Sequence, residues 1–374
     1  MDAIRSPATR TAGGQGHTPF GVLRVVLALL VVFQHAVAGF HPGAVVAGER
    51  GFEAGSIAVL VFFVLSGHII DEAADLVYRG RPWAFLLNRL LRILPTYFVG
   101  IAAFLIVAAA LHGAGYGLMP VEGRPLVAAD LWSPRLLLAN LGAVLPIPQS
   151  LPWIADEPRL MLIIWAVRVE MMFYLAFFAL LVVAKASGIA VGRVLSFAGV
   201  LAIAAALPGL LGGHDTALTN APFFVLGVAH RRLRAAAGDR ATVGWAGALF
   251  AAALALSLWK AAGLGVGLAL AQARFGEAAL FLGLLTVFAG LTGLRIDPTS
   301  LATRIDQKAG ELTYPIYIDH MTAISALGLM VAGRSTALVG VAIVAGILFS
   351  WAIAAVSEPA IARLRDRVRG RRLR

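Results

Sequence analysis

The run RVVLALLVVFQH, residues 24–35, sets an arginine at the entrance of an almost unbroken apolar stretch and an imidazole eleven residues further in. Eleven residues make three helical turns, so Arg24 and His35 point the same way with about 16 Å between them along the axis. An imidazole, with an unperturbed pKa near ~6.5, suits proton transfer and can also carry an acyl group transiently. The segment NRLLR places Arg89 and Arg92 three apart on one helix face. Two guanidinium forks beside a helix start make a good phosphate site; the plain alternative is a topological anchor. In WAVRVEMMFY, Glu170, Phe173 and Tyr174 form one polar and aromatic patch, with Arg168 close enough in sequence to neutralise the carboxylate. In LTYPIYIDH, Tyr314, Tyr317 and His320 step by three and drift slowly around one side, while Asp319 points elsewhere.

The elements that must hold these groups are membrane helices. Hydrophobic residues make up 60% of the 374 and charged residues 14%, with a mean hydropathy of +0.85. A soluble domain has roughly 45 to 50% and about 25%. Apolar runs of bilayer length recur along the chain, which predicts an all-α polytopic bundle of about ten spans. They are expected near 22–42, 54–70, 85–111, 161–184, 193–211, 217–229, 242–259, 275–294, 311–332 and 336–357, the sixth being short. In such a setting an ionisable side chain is costly and suggests function.

The net charge of +11 raises the possibility of a nucleic-acid partner, but its distribution argues against one. Most of the 31 lysines and arginines fall on alternate connections and on the tail RLRDRVRGRRLR, the positive-inside pattern that places both termini in the cytoplasm. The predicted layout is a cytoplasmic tail over 1–19, a membrane domain over 20–358, and a basic cytoplasmic tail over 359–374 that meets anionic lipid headgroups. The stretch before Phe20 is polar and lacks the pattern of a cleaved signal, so the first span is expected to be permanent. A long outer connection, about 112–160, carries Pro120, Pro125, Pro134, Pro146, Pro148, Pro152 and Pro158, expected to break any regular element. Zero Cys excludes disulfides, thiol catalysis and cysteine-bound metal.

With these pieces in order, the chain resembles the acyltransferase family 3 integral membrane proteins, bacterial enzymes that mostly O-acetylate sugars and lipid-linked glycans. The resemblance covers most of the chain. Its most specific part is the spacing of Arg24 and His35, and it continues in VLVFFVLSG (59–67), in RLLRILPTYF, in WAVRVEMMFY, in APFFVLG from Ala221 to Gly227, in LTYPIYIDH and in SEP at Ser357 to Pro359. Three positions depart from the family pattern: Gly21 stands where an aspartate is usual, His68 where an aromatic residue commonly follows SG, and Arg168 where a small residue precedes the glutamate.

The resemblance implies an O-acyltransferase of the bacterial inner membrane, with acyl-CoA, usually acetyl-CoA, as donor and a carbohydrate or lipid-linked glycan as acceptor. No metal is called for. Arg89 and Arg92 would hold the nucleotide phosphates, the pantetheine arm would run past Arg24, and the thioester would meet His35, oriented or polarised by Glu170. Tyr174, Tyr314, Tyr317 and His320 would line the place of the acceptor or thioester. Two rival readings stay open: a proton-coupled transporter or flippase, since buried His, Glu and Asp also make proton relays, and a non-enzymatic partner in envelope assembly.

Overall fold

A computed structural model describes residues 17–41, 52–212, 216–236, 239–264 and 274–369, and the described residues hold twelve α-helices, two short 3-10 helices and no strand. The ends of both predicted tails, 1–16 and 370–374, lie outside them. The helices are α1 (Phe20–Phe40), α2 (Ala54–Leu76), α3 (Pro82–Gly113), α4 (Pro134–Ala143), α5 (Pro152–Ala155), α6 (Ile164–Ser187), α7 (Val191–Gly212), α8 (Ala221–Ala235), α9 (Arg240–Ala261), α10 (Phe275–Gly293), α11 (Leu301–Met330) and α12 (Thr336–Arg369). A backbone in lipid has no water to bond to, so its long apolar runs fold as helices that satisfy themselves.

Among the described residues, eight helices are long and apolar enough to cross a membrane: α1, α2, α3, α6, α7, α9, α10 and α12. The other two expected spans are α8 and α11, which fail that measure for different reasons. α8 has only 15 residues. α11 has 30, about 45 Å of helix, but its first turns carry Arg304, Asp306, Lys308 and Glu311, and the stretch after them is made less apolar by Tyr314, Pro315, Tyr317, Asp319 and His320. It packs on α1, α3 and α12; Asp306 is buried against α1, while Arg304, Lys308 and Glu311 are exposed.

Two helix pairs approach backbone to backbone through glycine. A Cβ on Gly21 would sit 1.7 Å from the Asp306 carbonyl oxygen, which sets the α1–α11 contact. A Cβ on Gly227 would sit 1.9 Å from the Val64 carbonyl oxygen, and one on Gly67 2.2 Å from that of Phe224, which together clamp α2 to α8. Small residues at helix crossings are the usual route to close packing in a membrane. These contacts fix the rotation of α1 and α2, the helices that carry Arg24, His35 and Ser66.

The long connection between α3 and α6 is folded, contrary to the expectation that its prolines break all regular structure. Pro134 and Pro152 begin α4 and α5, at the position where a missing N–H costs nothing. Asn140 ties the connection together: its amide donates to the carbonyls of Leu136 (3.0 Å) and Pro158 (2.9 Å) and accepts from Leu160 N (3.0 Å). The Tyr97 hydroxyl of α3 donates to the Asn140 carbonyl at 2.7 Å, fastening the cap to the bundle. Arg124 binds Asp130 at 2.6 and 2.8 Å and Glu157 at 3.0 Å, and Arg135 pairs with Glu157 at 2.7 Å.

The hydrogen bonds from Arg124 hold the Asp130 carboxyl below its ordinary value. A depressed carboxylate contributes stability that is complete above the unfolded value of about 3.9 and is lost as pH falls through the lowered folded value. The cap is therefore expected to resist proteolysis at about pH 5 and above, and to loosen below about pH 4. Cleavage by an acid-active protease across this range measures it, with Arg124→Ala expected to be cut readily at every pH. Identical cleavage of wild type and variant would exclude this network as the fastening.

α12 continues through Pro359 to Arg369, so the basic tail starts as the last turns of a membrane helix rather than as a separate segment.

Candidate active site

α1 runs unbroken from Phe20 to Phe40, so the spacing of about 16 Å from Arg24 to His35 is realised on one rigid element. Around Arg24 lies a narrow cavity of about 60 Å³. α2 contributes Phe62 and Ser66, α3 Arg89 and Arg92, α6 Glu170 and Tyr174, and α11 Thr313, Tyr314 and Tyr317. Seven of the nine residues expected to act thus meet in one space; His35 and His320 do not line it. Tyr317 precedes His320 by three residues, so the histidines stand about one helical turn beyond the cavity. The rings of Phe62 and Tyr317, with centres 6.0 Å apart, both line the cavity.

The cavity is electropositive. Arg24, Arg89 and Arg92 form no ion pair among the described residues; within this cavity they face one carboxylate, that of Glu170, while Arg24 and Arg92 also border the vestibule described below, which carries Asp306, Glu311, Glu358 and Asp366. Arg89 is only 6% exposed and its Nε has no hydrogen-bond partner. Its guanidinium is 5.5 Å from the Phe85 ring centre and 5.7 Å from that of Tyr174, partial compensation by the ring faces. A buried cation short of acceptors, with the half-buried Arg24 and Arg92 beside it, is an anion site in the making, since an anion would supply the missing acceptor.

Glu170 is held through one oxygen. Its Oε1 accepts from Ser66 Oγ at 3.1 Å and from the Tyr174 hydroxyl one turn along the same helix. The other oxygen has no hydrogen-bond partner among the described residues. Arg168 does not neutralise it: two residues away on a helix is about 200° around the axis, and Arg168 instead feels Arg159 and Glu122 of the cap. Phe173 also turns outward, stacking on Phe224 with ring centres 3.9 Å apart.

The histidines form a pair. His35 Nδ1 lies 2.9 Å from His320 Nε2, and His320 Nδ1 lies 2.7 Å from the Ile316 carbonyl oxygen. His320 is fully buried while His35 is half-buried. Asp319 turns away from this side, towards Gly100 of α3.

At the end of the bundle where α1 and α3 begin and α12 finishes, a polar vestibule of about 490 Å³ opens. Arg24, Arg92 and Tyr314 line both it and the inner cavity, forming the throat between them. The Tyr314 hydroxyl at this throat has no hydrogen-bond partner among the described residues and is a spare donor.

Two residues here escaped the sequence reading. Ser66 lay within a quoted motif, yet nothing in one helix tells which residue of another it will meet. Asp306 of α11 places its carboxylate beside Gly21, accepting from Val22 N at 2.9 Å and bonding His17 Nε2 at 2.8 Å. Asp306 thus accepts from an N–H in the first turn of α1 that has no partner within the helix.

No curated protein and no solved structure is similar enough to match. The profile of a known family, described as an acyltransferase domain, matches residues 20–355, which is nearly the whole described chain and includes every helix that lines the cavity. The chain belongs to acyltransferase family 3 and is a membrane acyltransferase.

Proposed function

We propose that the protein moves an acyl group, acetyl in the usual case, from acyl-CoA to a hydroxyl of an envelope carbohydrate or lipid-linked glycan in the bacterial inner membrane. α8 and α11 complete ten spans, both termini face the cytoplasm, and the vestibule therefore opens to the compartment where acyl-CoA is made. The observation that supports the reading is the set of three guanidinium groups, none in an ion pair among the described residues, around a cavity that meets this vestibule at Arg24, Arg92 and Tyr314 and stops about one helical turn short of His35.

The donor's nucleotide sits in the vestibule, whose volume falls within the range of about 300–1,000 Å³ usual for small-molecule sites. Arg89 and Arg92 engage its phosphates, and the thin arm follows the about 16 Å between Arg24 and His35. A cavity of about 60 Å³ holds on the order of two water molecules, so Phe62 and Tyr317 swing aside when the arm enters. His35 then takes the proton of the acceptor hydroxyl. The oxygen attacks the thioester carbonyl, a C–O bond forms, the C–S bond breaks, and the departing thiolate takes the proton back from the imidazolium. Glu170, fixed by Ser66 and Tyr174, orients the acceptor through its free oxygen.

The absence of cysteine gives a clean assay, because the released CoA thiol has no background from the enzyme. Purified protein in lipid nanodiscs, given acetyl-CoA and extracted envelope glycan, is expected to release thiol while the glycan gains one acetyl mass. Absence of both changes would overturn acyl-CoA as the donor, and proton-driven uptake in vesicles would then favour transport.

A further inference from the structure

His320 has no free ring nitrogen. Its Nδ1 is 2.7 Å from the Ile316 carbonyl oxygen, and a carbonyl only accepts, so this nitrogen carries a hydrogen. In the neutral ring Nε2 is then a bare acceptor, and its neighbour at 2.9 Å, His35 Nδ1, supplies the hydrogen. The ring centres are 5.2 Å apart with 14° between the planes. Both nitrogens thus lie nearly on the line joining two almost coplanar rings, the geometry of a straight in-plane N–H···N bond. The reverse tautomer of His35 would set two lone pairs against each other in a buried space.

His320 is also immobile. It is 0% exposed, and α12 closes its back so tightly that a Cβ on Gly346 would lie 3.3 Å from the His320 Cβ. His35, by contrast, is half-buried, and its Nε2 has no hydrogen-bond partner among the described residues.

We propose that His320 is a positioning residue: the Ile316 carbonyl and His320 together lock His35 in the tautomer whose lone pair lies on Nε2, facing the reacting groups. This inference rests on the acyl-transfer reading above and reassigns His320 from substrate contact to tautomer control. When Nε2 takes the hydroxyl proton, the Nδ1–H bond to His320 persists and strengthens as charge develops on His35. The Nε2 proton then leaves with the CoA thiolate, and the pair returns to its starting state with nothing gained or lost. Partners that fix the tautomer of metal-ligating histidines commonly matter about 10- to 100-fold, and an effect of that order is expected here.

Two amide substitutions separate this role from simple packing. Glutamine at 320 reaches the place of Nε2, where its carbonyl oxygen accepts from His35; asparagine, one methylene shorter, matches Nδ1 and falls short of His35. With thiol release from acetyl-CoA as the readout, His320→Gln is expected to keep kcat within about threefold of wild type. His320→Asn should lose about 10- to 100-fold in kcat with the acetyl-CoA KM unchanged. Equal kcat in the two variants, whether both normal or both impaired, would overturn the positioning role, as would a change confined to KM. Wild-type protein that releases no thiol would instead sink the acyl-transfer reading itself, so the two failures are told apart by the wild-type control.

Discussion

His35→Ala is expected to abolish acyl transfer, lowering the rate of thiol release by about 10²- to 10⁴-fold, the usual worth of a positioned general base. The residue stands three turns beyond Arg24 on an unbroken helix, and its Nε2 is the free end of a hydrogen-bonded pair. Alanine also leaves His320 Nε2 without its donor, and a buried acceptor so orphaned costs about 1–3 kcal/mol. Abundance in the membrane must therefore be measured beside activity, by immunoblot and by elution of the purified variant on size exclusion. That penalty is small against the many helix contacts that hold α1 on α2, α11 and α12, so abundance is expected to stay near normal. Near-normal transfer by a variant present at normal abundance would remove His35 from the chemistry.

The double substitution Arg89→Gln with Arg92→Gln is expected to act on donor binding. Each charge-assisted hydrogen bond to a phosphate is worth about 1.5–3 kcal/mol, so removing two lowers CoA affinity by about 10²- to 10⁴-fold. Direct titration of the purified protein with CoA measures this. Arg89 supplies an internal control, because it is buried at 6% exposure with no carboxylate partner. Replacing an uncompensated buried charge by a neutral amide of similar length should leave the melting temperature unchanged or raised. Weaker CoA binding with undiminished stability is the signature of a residue kept for its ligand. Unchanged CoA affinity would reduce the pair to topological anchors.

Much of this site could be read along single helices, because 3.6 residues per turn fixes which side chains share a face. Arg24 with His35, Arg89 with Arg92, Glu170 with Tyr174, and Tyr314 with Tyr317 were all visible in that way. The failures have the same root. Arg168 lies too far around the helix from Glu170 to neutralise it, and His320 drifts one turn past the cavity that Tyr314 and Tyr317 line.

The ordered motifs carried the family, and composition and the recurrence of apolar runs were sufficient to determine a helical membrane protein and the length of α1. Pairings between helices were not, since a helix in lipid is apolar all round and its hydropathy carries little record of which face turns inward. Tertiary packing alone decided that Ser66 would meet Glu170, that His320 would meet His35, and that Asp306 would occupy the space Gly21 leaves empty. The physical reason lies in the close contacts at Gly21, Gly67 and Gly227: they set the rotation and height of each helix against its neighbour, and only then do distant residues become partners.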